Sequence, residues 1–203
     1  MAVYTHVGEA ELAQLLDRYD LGQVKSFKGI AEGVENSNFF LETARGRFIL
    51  TLYEKRVAEA DLPFFLELME HLAARGIPCP VPVRDREDKA QQRIAGRPAA
   101  LITFLDGVSH EQIAPQHCHG VGALLGRLHA AGGDFAMRRR NDLSLAGWRR
   151  LAEAHQSRAD EVAPGLGALL GTEMAALEAA WPANLPQGIV HADLFPDNVL
   201  FLG

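Results

Sequence analysis

The segment His191-Ala192-Asp193-Leu194-Phe195-Pro196-Asp197-Asn198 gathers ionisable and amide side chains into one short stretch. Gly188-Ile189-Val190 precedes it and Val199-Leu200-Phe201-Leu202 follows it, so the polar groups are expected on a loop entered and left by apolar strands. Phosphoryl transfer asks little covalent chemistry of a protein. It needs a group that accepts or orients the attacking hydroxyl and metal ions that neutralise charge on the phosphates. Asp193 suits the first task, as base or positioning group for the hydroxyl. Asn198 suits the second, offering an amide oxygen to Mg²⁺, a hard cation that prefers oxygen ligands. His191 belongs to the same catalytic segment and is expected to brace the loop rather than to transfer protons.

The spacing H-x-D-x-x-x-x-N matches the catalytic loop of protein kinases. Its fuller form, H-A-D-L-F-P-D-N-V, resembles the aminoglycoside-phosphotransferase-like kinases, and within that superfamily the chain is similar to the bacterial homoserine kinases. The segments that carry the similarity are Ser26 to Phe39, Phe48 to Arg56, Pro63 to Gly76 and His191 to Asn198, so it runs through nearly the whole chain. The resemblance implies ATP and Mg²⁺ as cofactors and the hydroxyl of L-homoserine as acceptor, on the branch toward threonine. Choline, ethanolamine or an aminoglycoside would keep the fold and change the alcohol. Aminoglycosides are polycations that favour an acidic cleft, whereas residues 134 to 150 mix Arg with Asp.

The same resemblance places Gly33-Val34-Glu35-Asn36-Ser37-Asn38 over the ATP phosphates, with Gly33 permitting a close turn and Asn36, Ser37 and Asn38 offering donors to phosphate oxygens. Thr51 occupies the inward position on the third strand where kinases carry a phosphate-binding Lys. Lys55 and Arg56 lie downstream, and Glu67 and Glu70 lie near the position of the Glu that usually pairs with that Lys. Phe104 and Leu105, ahead of Asp106-Gly107, fall where the hinge to the adenine should be. An amino-acid alcohol also needs charged partners: Asp197 for the ammonium, and Arg139 or Arg149 for the carboxylate.

These groups need a scaffold. Leu12, Leu15, Leu16 and Tyr19 predict a helix at about 9 to 20 that stops at Gly22. Val24 to Ile30, Asn38 to Thr43 and Arg47 to Tyr53 read as three consecutive antiparallel strands. A second helix, capped by Asp61 with Pro63 in its first turn, runs to Gly76. Pro78, Pro80 and Pro82 then force extended backbone, followed by a hairpin turning near Asp85 to Asp88 and ending in the strand Ala99 to Leu105. Beyond residue 107 the periodicity is helical, with Val121 to Leu128, Trp148 to Ala154 and Leu166 to Trp181 as helices. The order gives an α+β, two-lobe protein-kinase-like fold: a nucleotide-binding lobe, 1–106, with a five-stranded sheet, and a helical lobe, 107–203, carrying the catalytic loop.

A net charge of −6 offers no attraction to nucleic acid or anionic membrane, and Arg138-Arg139-Arg140, flanked by Asp134 and Asp142, reads as a solvated turn. Cys79 and Cys118 lack metal-site spacing and are expected to be reduced, structural thiols. With no apolar run long enough for a membrane span and no leader pattern, a cytoplasmic protein is expected. Kinases of this class place a second acidic metal ligand after the catalytic loop, and no Asp follows Asn198. The expectation is therefore a C-terminally truncated chain, a catalytically incomplete nucleotide-binding fragment that is poorly soluble and inactive by itself.

Overall fold

A computed structural model describes residues 3–31, 35–54 and 57–202. The first helix, α1 (Glu9–Leu16), buries Leu12 and Leu15. It is shorter than its periodicity suggests because the chain tightens at its end: the Arg18 and Tyr19 N–H groups bond to Leu15 and Leu16, three residues back. Tyr19 is buried nonetheless.

Strands β1 (Val24–Gly29), β2 (Asn36–Thr43) and β3 (Gly46–Tyr53) form an antiparallel meander. With β4 (Gln91–Ile94) and β5 (Arg97–Thr103) they make one five-stranded sheet, ordered β1-β2-β3-β5-β4. Successive side chains on a strand face opposite ways, and the registered pairs show which residues share a face. Phe39, Leu50 and Leu101 lie in one row and pack with Leu12 and Leu15 of α1. Leu41, Leu50, Leu52 and Leu101 are wholly buried there, each worth roughly 1.5–3 kcal/mol of transfer free energy. Thr51 and Ala100 lie in a row of the opposite face, where Ala100, Tyr53 and Ile102 pack with Leu66 and Met69 of α2 (Leu62–Ala74).

A 3₁₀ turn, Glu59–Asp61, precedes α2, so Asp61 is already helical in its backbone (φ −88°, ψ −15°) and makes no side-chain cap hydrogen bond. Gly76, at φ 74°, ends the helical stretch in the left-handed conformation that glycine adopts without strain.

The hairpin differs from the expected one. Its turn is Ala95-Gly96, both at positive φ (48° and 73°), as a two-residue turn between twisted strands requires. Asp85 to Asp88 instead forms a bend along the same sheet edge, because Val81 and Val83 already hydrogen-bond to β5. Asp85 fixes that bend by accepting from the Glu87 and Lys89 N–H groups at 2.9 Å and from the Gln92 amide at 2.9 Å. Burial pushes its carboxyl up, but the bonds from Lys89, Gln92 and Glu87 outweigh this and hold it below its usual value.

By its contacts the chain forms two compact units, Met1–Met137 with Gly188–Gly203, and Arg138–Gln187. The first contains the sheet, α1, α2 and α3 (Pro115–Ala131). Arg127 of α3 donates to the Gly76 carbonyl at 2.9 Å, and Arg75, the residue just after α2, reaches Asp134 at 2.6 Å. The second unit holds α4 (Leu145–His155) and α5 (Leu166–Ala180), with the rings of Trp148 and Trp181 edge-on at 5.5 Å.

Candidate active site

The loop 191–198 owes its shape to two local devices. Ala192 takes a left-handed backbone (φ 66°), and Pro196–Asn198 closes a 3₁₀ turn in which the Asn198 N–H bonds to the Phe195 carbonyl at 3.0 Å. This folds Asn198 back onto Asp193. Its side-chain amide donates to the Asp193 backbone carbonyl at 2.8 Å and to Asp193 Oδ2 at 3.0 Å. One carboxylate oxygen of Asp193 and the Asn198 Oδ1 are left for other partners, and the whole loop is exposed. The donor arrangement is two oxygens on one rim. Asn198 Oδ1 fits Mg²⁺ as bound with a nucleotide, because that ion keeps several waters and takes few protein ligands beside phosphate oxygens, and the free Asp193 oxygen beside it is open to a hydroxyl. Among the described residues no group of three acidic, His or Cys side chains forms a cage that would hold a metal alone.

The strands expected on either side of the loop are not ordinary strands. Among the described residues, 188–190 have no strand partner, and on the far side only Phe201 pairs, with Val108, at 3.0 and 2.9 Å between backbone groups. A strand needs a neighbouring backbone, and here Val108 supplies a single bridge. The ring of Phe201 sits 5.0 Å from both His110 and His117, whose imidazoles stack at 4.3 Å. Ser109 Oγ donates to the Val199 carbonyl at 3.1 Å. Gly107 explains why no side chain fits just before this bridge: at φ 143°, a Cβ would lie 2.9 Å from Leu200 Cβ and 3.0 Å from the Phe201 oxygen. The segment that follows loop 191–198 is therefore tied to the chain that leaves β5.

At that exit, Phe104 packs edge-on against Phe40 at 5.5 Å, and the Arg47 guanidinium lies 4.9 Å above its ring while binding Asp106 at 2.8 Å. The Phe104 N–H bonds to the Arg47 carbonyl, so that N–H continues the sheet and is not open to a ligand. Leu105 is half-buried, and its N–H makes no hydrogen bond to the described residues. Phe40, Ile49 and Ile102 form one row on the α2 face of the sheet. Phe40 and Ile49 were passed over in the sequence, although counting alternate residues from Asn38 and Thr51 would have located both.

Asn38 and Thr51 are the next row, and Thr51 Oγ1 donates to Asn38 Oδ1 at 2.9 Å. With its oxygen taken, Asn38 presents its NH₂ as a donor, and Asn36 alternates to the same face. Ser37 is on the other face. Its hydroxyl is wholly buried, accepts from the Tyr4 and Thr5 N–H groups at 2.8 and 3.1 Å, and donates to Glu54 Oε1 at 2.6 Å. It is not available to a phosphate, because strand alternation separates it from Asn36 and Asn38. Gly33, Lys55 and Arg56 lie outside the described residues.

Glu70 is committed elsewhere, gripping Arg84 through paired bonds of 2.7 and 2.6 Å, and Glu67 is exposed. Among the described residues, Thr51 therefore stands without the Lys and Glu pair usual at that place in kinases. His191 is exposed and makes no hydrogen bond to the described residues, and Asp197 is exposed on the 3₁₀ turn. Arg139 and Arg149 belong to the second unit, where they pair with Asp142 and Glu178.

The family model for the phosphotransferase enzyme family matches residues 26–203, which includes all of the sheet but the first two residues of β1, the Asn36 to Asn38 segment and the Asp193 to Asn198 loop. The chain belongs to the phosphotransferase enzyme family. This phosphotransferase chain is 62% identical over 204 residues to a homoserine kinase of Rhodopseudomonas palustris (strain TIE-1), a match that takes in 100% of this chain and 62% of the relative. A homoserine kinase of Afipia carboxidovorans is also 62% identical, again with 62% of its length covered. The chain thus spans about 62% of the length of the curated relatives it matches. Among solved structures, spectinomycin phosphotransferase in complex with ADP and spectinomycin superposes with a TM-score of 0.70 over 96% of this chain and 65% of that one. At 14% identity that likeness establishes the fold.

Proposed function

We propose that this chain carries the nucleotide-binding lobe (1–106) and the catalytic loop of an ATP- and Mg²⁺-dependent kinase that phosphorylates the hydroxyl of L-homoserine, in the cytoplasm and on the branch toward threonine. The observation that supports the reaction class is the hydrogen-bonded pair Asp193 and Asn198 on the exposed rim of one loop. The 62% identity to homoserine kinases supports the acceptor.

In this reading Asp193 accepts the proton of the homoserine hydroxyl as its oxygen attacks the γ-phosphorus and ADP leaves. Asn198 does two jobs, holding the Asp193 carboxylate with its NH₂ and offering Oδ1 to the metal. The metal, when bound, neutralises phosphate charge. The NH₂ of Asn38, turned outward by Thr51, and that of Asn36 donate to phosphate oxygens, with Gly33 giving the turn. Phe40, Ile49, Ile102 and Phe104 supply the apolar wall for the adenine, and the Leu105 N–H its hydrogen-bond donor. Asp197 takes the substrate ammonium.

The test is ADP release by the protein that carries this chain, with ATP and Mg²⁺, measured side by side on L-homoserine, choline and spectinomycin. The reading expects kcat/KM for homoserine to exceed the others by about 100-fold or more, a floor below the roughly 10⁴-fold with which polar groups built for one ligand reject another. Preference for choline or spectinomycin would overturn the acceptor, and absence of ATP turnover with all three would overturn the reaction class.

A further inference from the structure

Glu54 ends up in an unusual place for a carboxylate. Its side chain is 6% exposed and receives three donors: Ser37 Oγ at 2.6 Å, Thr5 Oγ1 at 3.1 Å and Arg97 Nε at 3.1 Å. Arg97 also donates to the Glu54 carbonyl at 3.3 Å. Four segments distant in sequence meet at one group: residues 4–5, the start of β2, the chain leaving β3, and the start of β5. An isolated buried charge is costly, so this geometry persists only because all the donors are supplied together.

The network also encloses one particular piece of chain. Residues 4 and 5 donate their N–H groups to Ser37, and Val3 lies so close to Gly29 that a Cβ there would be 2.8 Å from Val3 Cγ2. The N-terminal segment therefore crosses both the end of β1 and the start of β2, the two stems of the loop that joins them. Ser37 is flanked by Asn36 and Asn38, whose side chains leave the opposite face of the strand. Holding Ser37 fixes the backbone from which both amides project, while Thr51 fixes the amide of Asn38 from the other side.

We propose that Glu54 is a positioning residue for nucleotide binding: through Ser37, Thr5 and the N-terminal segment it sets the stems of the β1–β2 loop and the two asparagines beside it. The role rests on the nucleotide reading above. Nothing in the network touches the nucleotide itself. Its effect is preorganisation, so its loss weakens ATP binding more than it weakens the fold and leaves the acceptor side unaffected.

The experiment uses the full-length protein that carries this chain and measures ATP affinity by calorimetry, thermal stability, and KM for ATP and homoserine separately. Glu54→Gln keeps the shape and removes the charge that holds three donors. The expected result is ATP affinity and KM for ATP each worse by about tenfold, with KM for homoserine changed by less than about twofold. Thr5→Val removes one hydroxyl donor at constant shape and moves the same quantities in the same direction by about threefold. Leu15→Ala, in the α1 core, is the control: it lowers the melting temperature without shifting ATP affinity. If Glu54→Gln lowers the melting temperature but keeps ATP affinity within about twofold of the unsubstituted protein, the network only supports the fold and the positioning role is wrong. Should Glu54→Gln fail to fold, Thr5→Val decides by the same criterion. An unsubstituted protein that binds no ATP would overturn the nucleotide reading, and the positioning role with it.

Discussion

Replacement of Asp193 by Asn is the sharpest perturbation the loop allows, because it removes the proposed proton acceptor and almost nothing else. In the present structure Asp193 accepts from the Asn198 amide twice, through its backbone carbonyl at 2.8 Å and through Oδ2 at 3.0 Å. The first bond does not involve the side chain at all. The second survives in Asp193→Asn, whose amide oxygen can accept in the same place. The loop is exposed, so the lost charge costs little stability, and the melting temperature should move by about 1 °C or less, as for surface substitutions. Loss of a general base lowers kcat by about 10²–10⁴, which at 1.36 kcal/mol per decade is about 3–5 kcal/mol of barrier. ATP affinity should stay within about twofold, since the assigned phosphate contacts come from Asn36 and Asn38. A coupled assay for ADP release gives kcat, and calorimetry gives the ATP affinity. Turnover near that of the unsubstituted protein would refute the base assignment. A fall in kcat matched by an equal fall in ATP affinity would show that Asp193 acts on the nucleotide rather than on the hydroxyl.

Other perturbations probe the scaffold of the site. Thr51→Val removes the donor that holds Asn38 Oδ1 at 2.9 Å, so the amide can turn over, and KM for ATP should rise by about threefold to tenfold at nearly constant kcat in steady-state kinetics. Gly107→Ala forces a Cβ to 2.9 Å from Leu200 and a non-glycine residue to φ 143°, and should cost about 1–3 kcal/mol in a denaturant melt while lowering kcat through the displaced loop. Asp85→Asn tests the depressed carboxyl: a folded-state value below the unfolded one contributes stability above the ordinary range near about pH 4 and loses it as pH falls through the folded value. The melting-temperature gap between the unsubstituted protein and Asp85→Asn should thus be widest near neutrality and close in acid, and a gap independent of pH would contradict the assignment.

The pairing of Asp193 with Asn198, to which the chemistry is assigned, was legible because it forms locally. Asp193 and Asn198 sit five positions apart, and a loop with Pro196 in a 3₁₀ turn brings such positions together with no help from the rest of the chain. The three-strand meander and α2 were equally visible, since alternation and helical spacing are carried by the residues of each element. The sequence erred or was silent where a decision depends on distant partners. The bend at Asp85 looked like a hairpin turn, but pairing of Val81 and Val83 with β5 moved the true turn to Ala95-Gly96. Val199 to Leu202 looked like a strand, yet among the described residues only Val108 offers it a backbone. Asn36, Ser37 and Asn38 looked like equivalent phosphate donors, and alternation alone divides them into two sets without saying which set faces inward. That choice was made by α1 and the N-terminal segment packing on one face, which buried Ser37 against Glu54 and left the asparagines on the other. Glu54 itself carried no sequence signal, because its partners, residues 5, 37 and 97, become neighbours only when the sheet assembles.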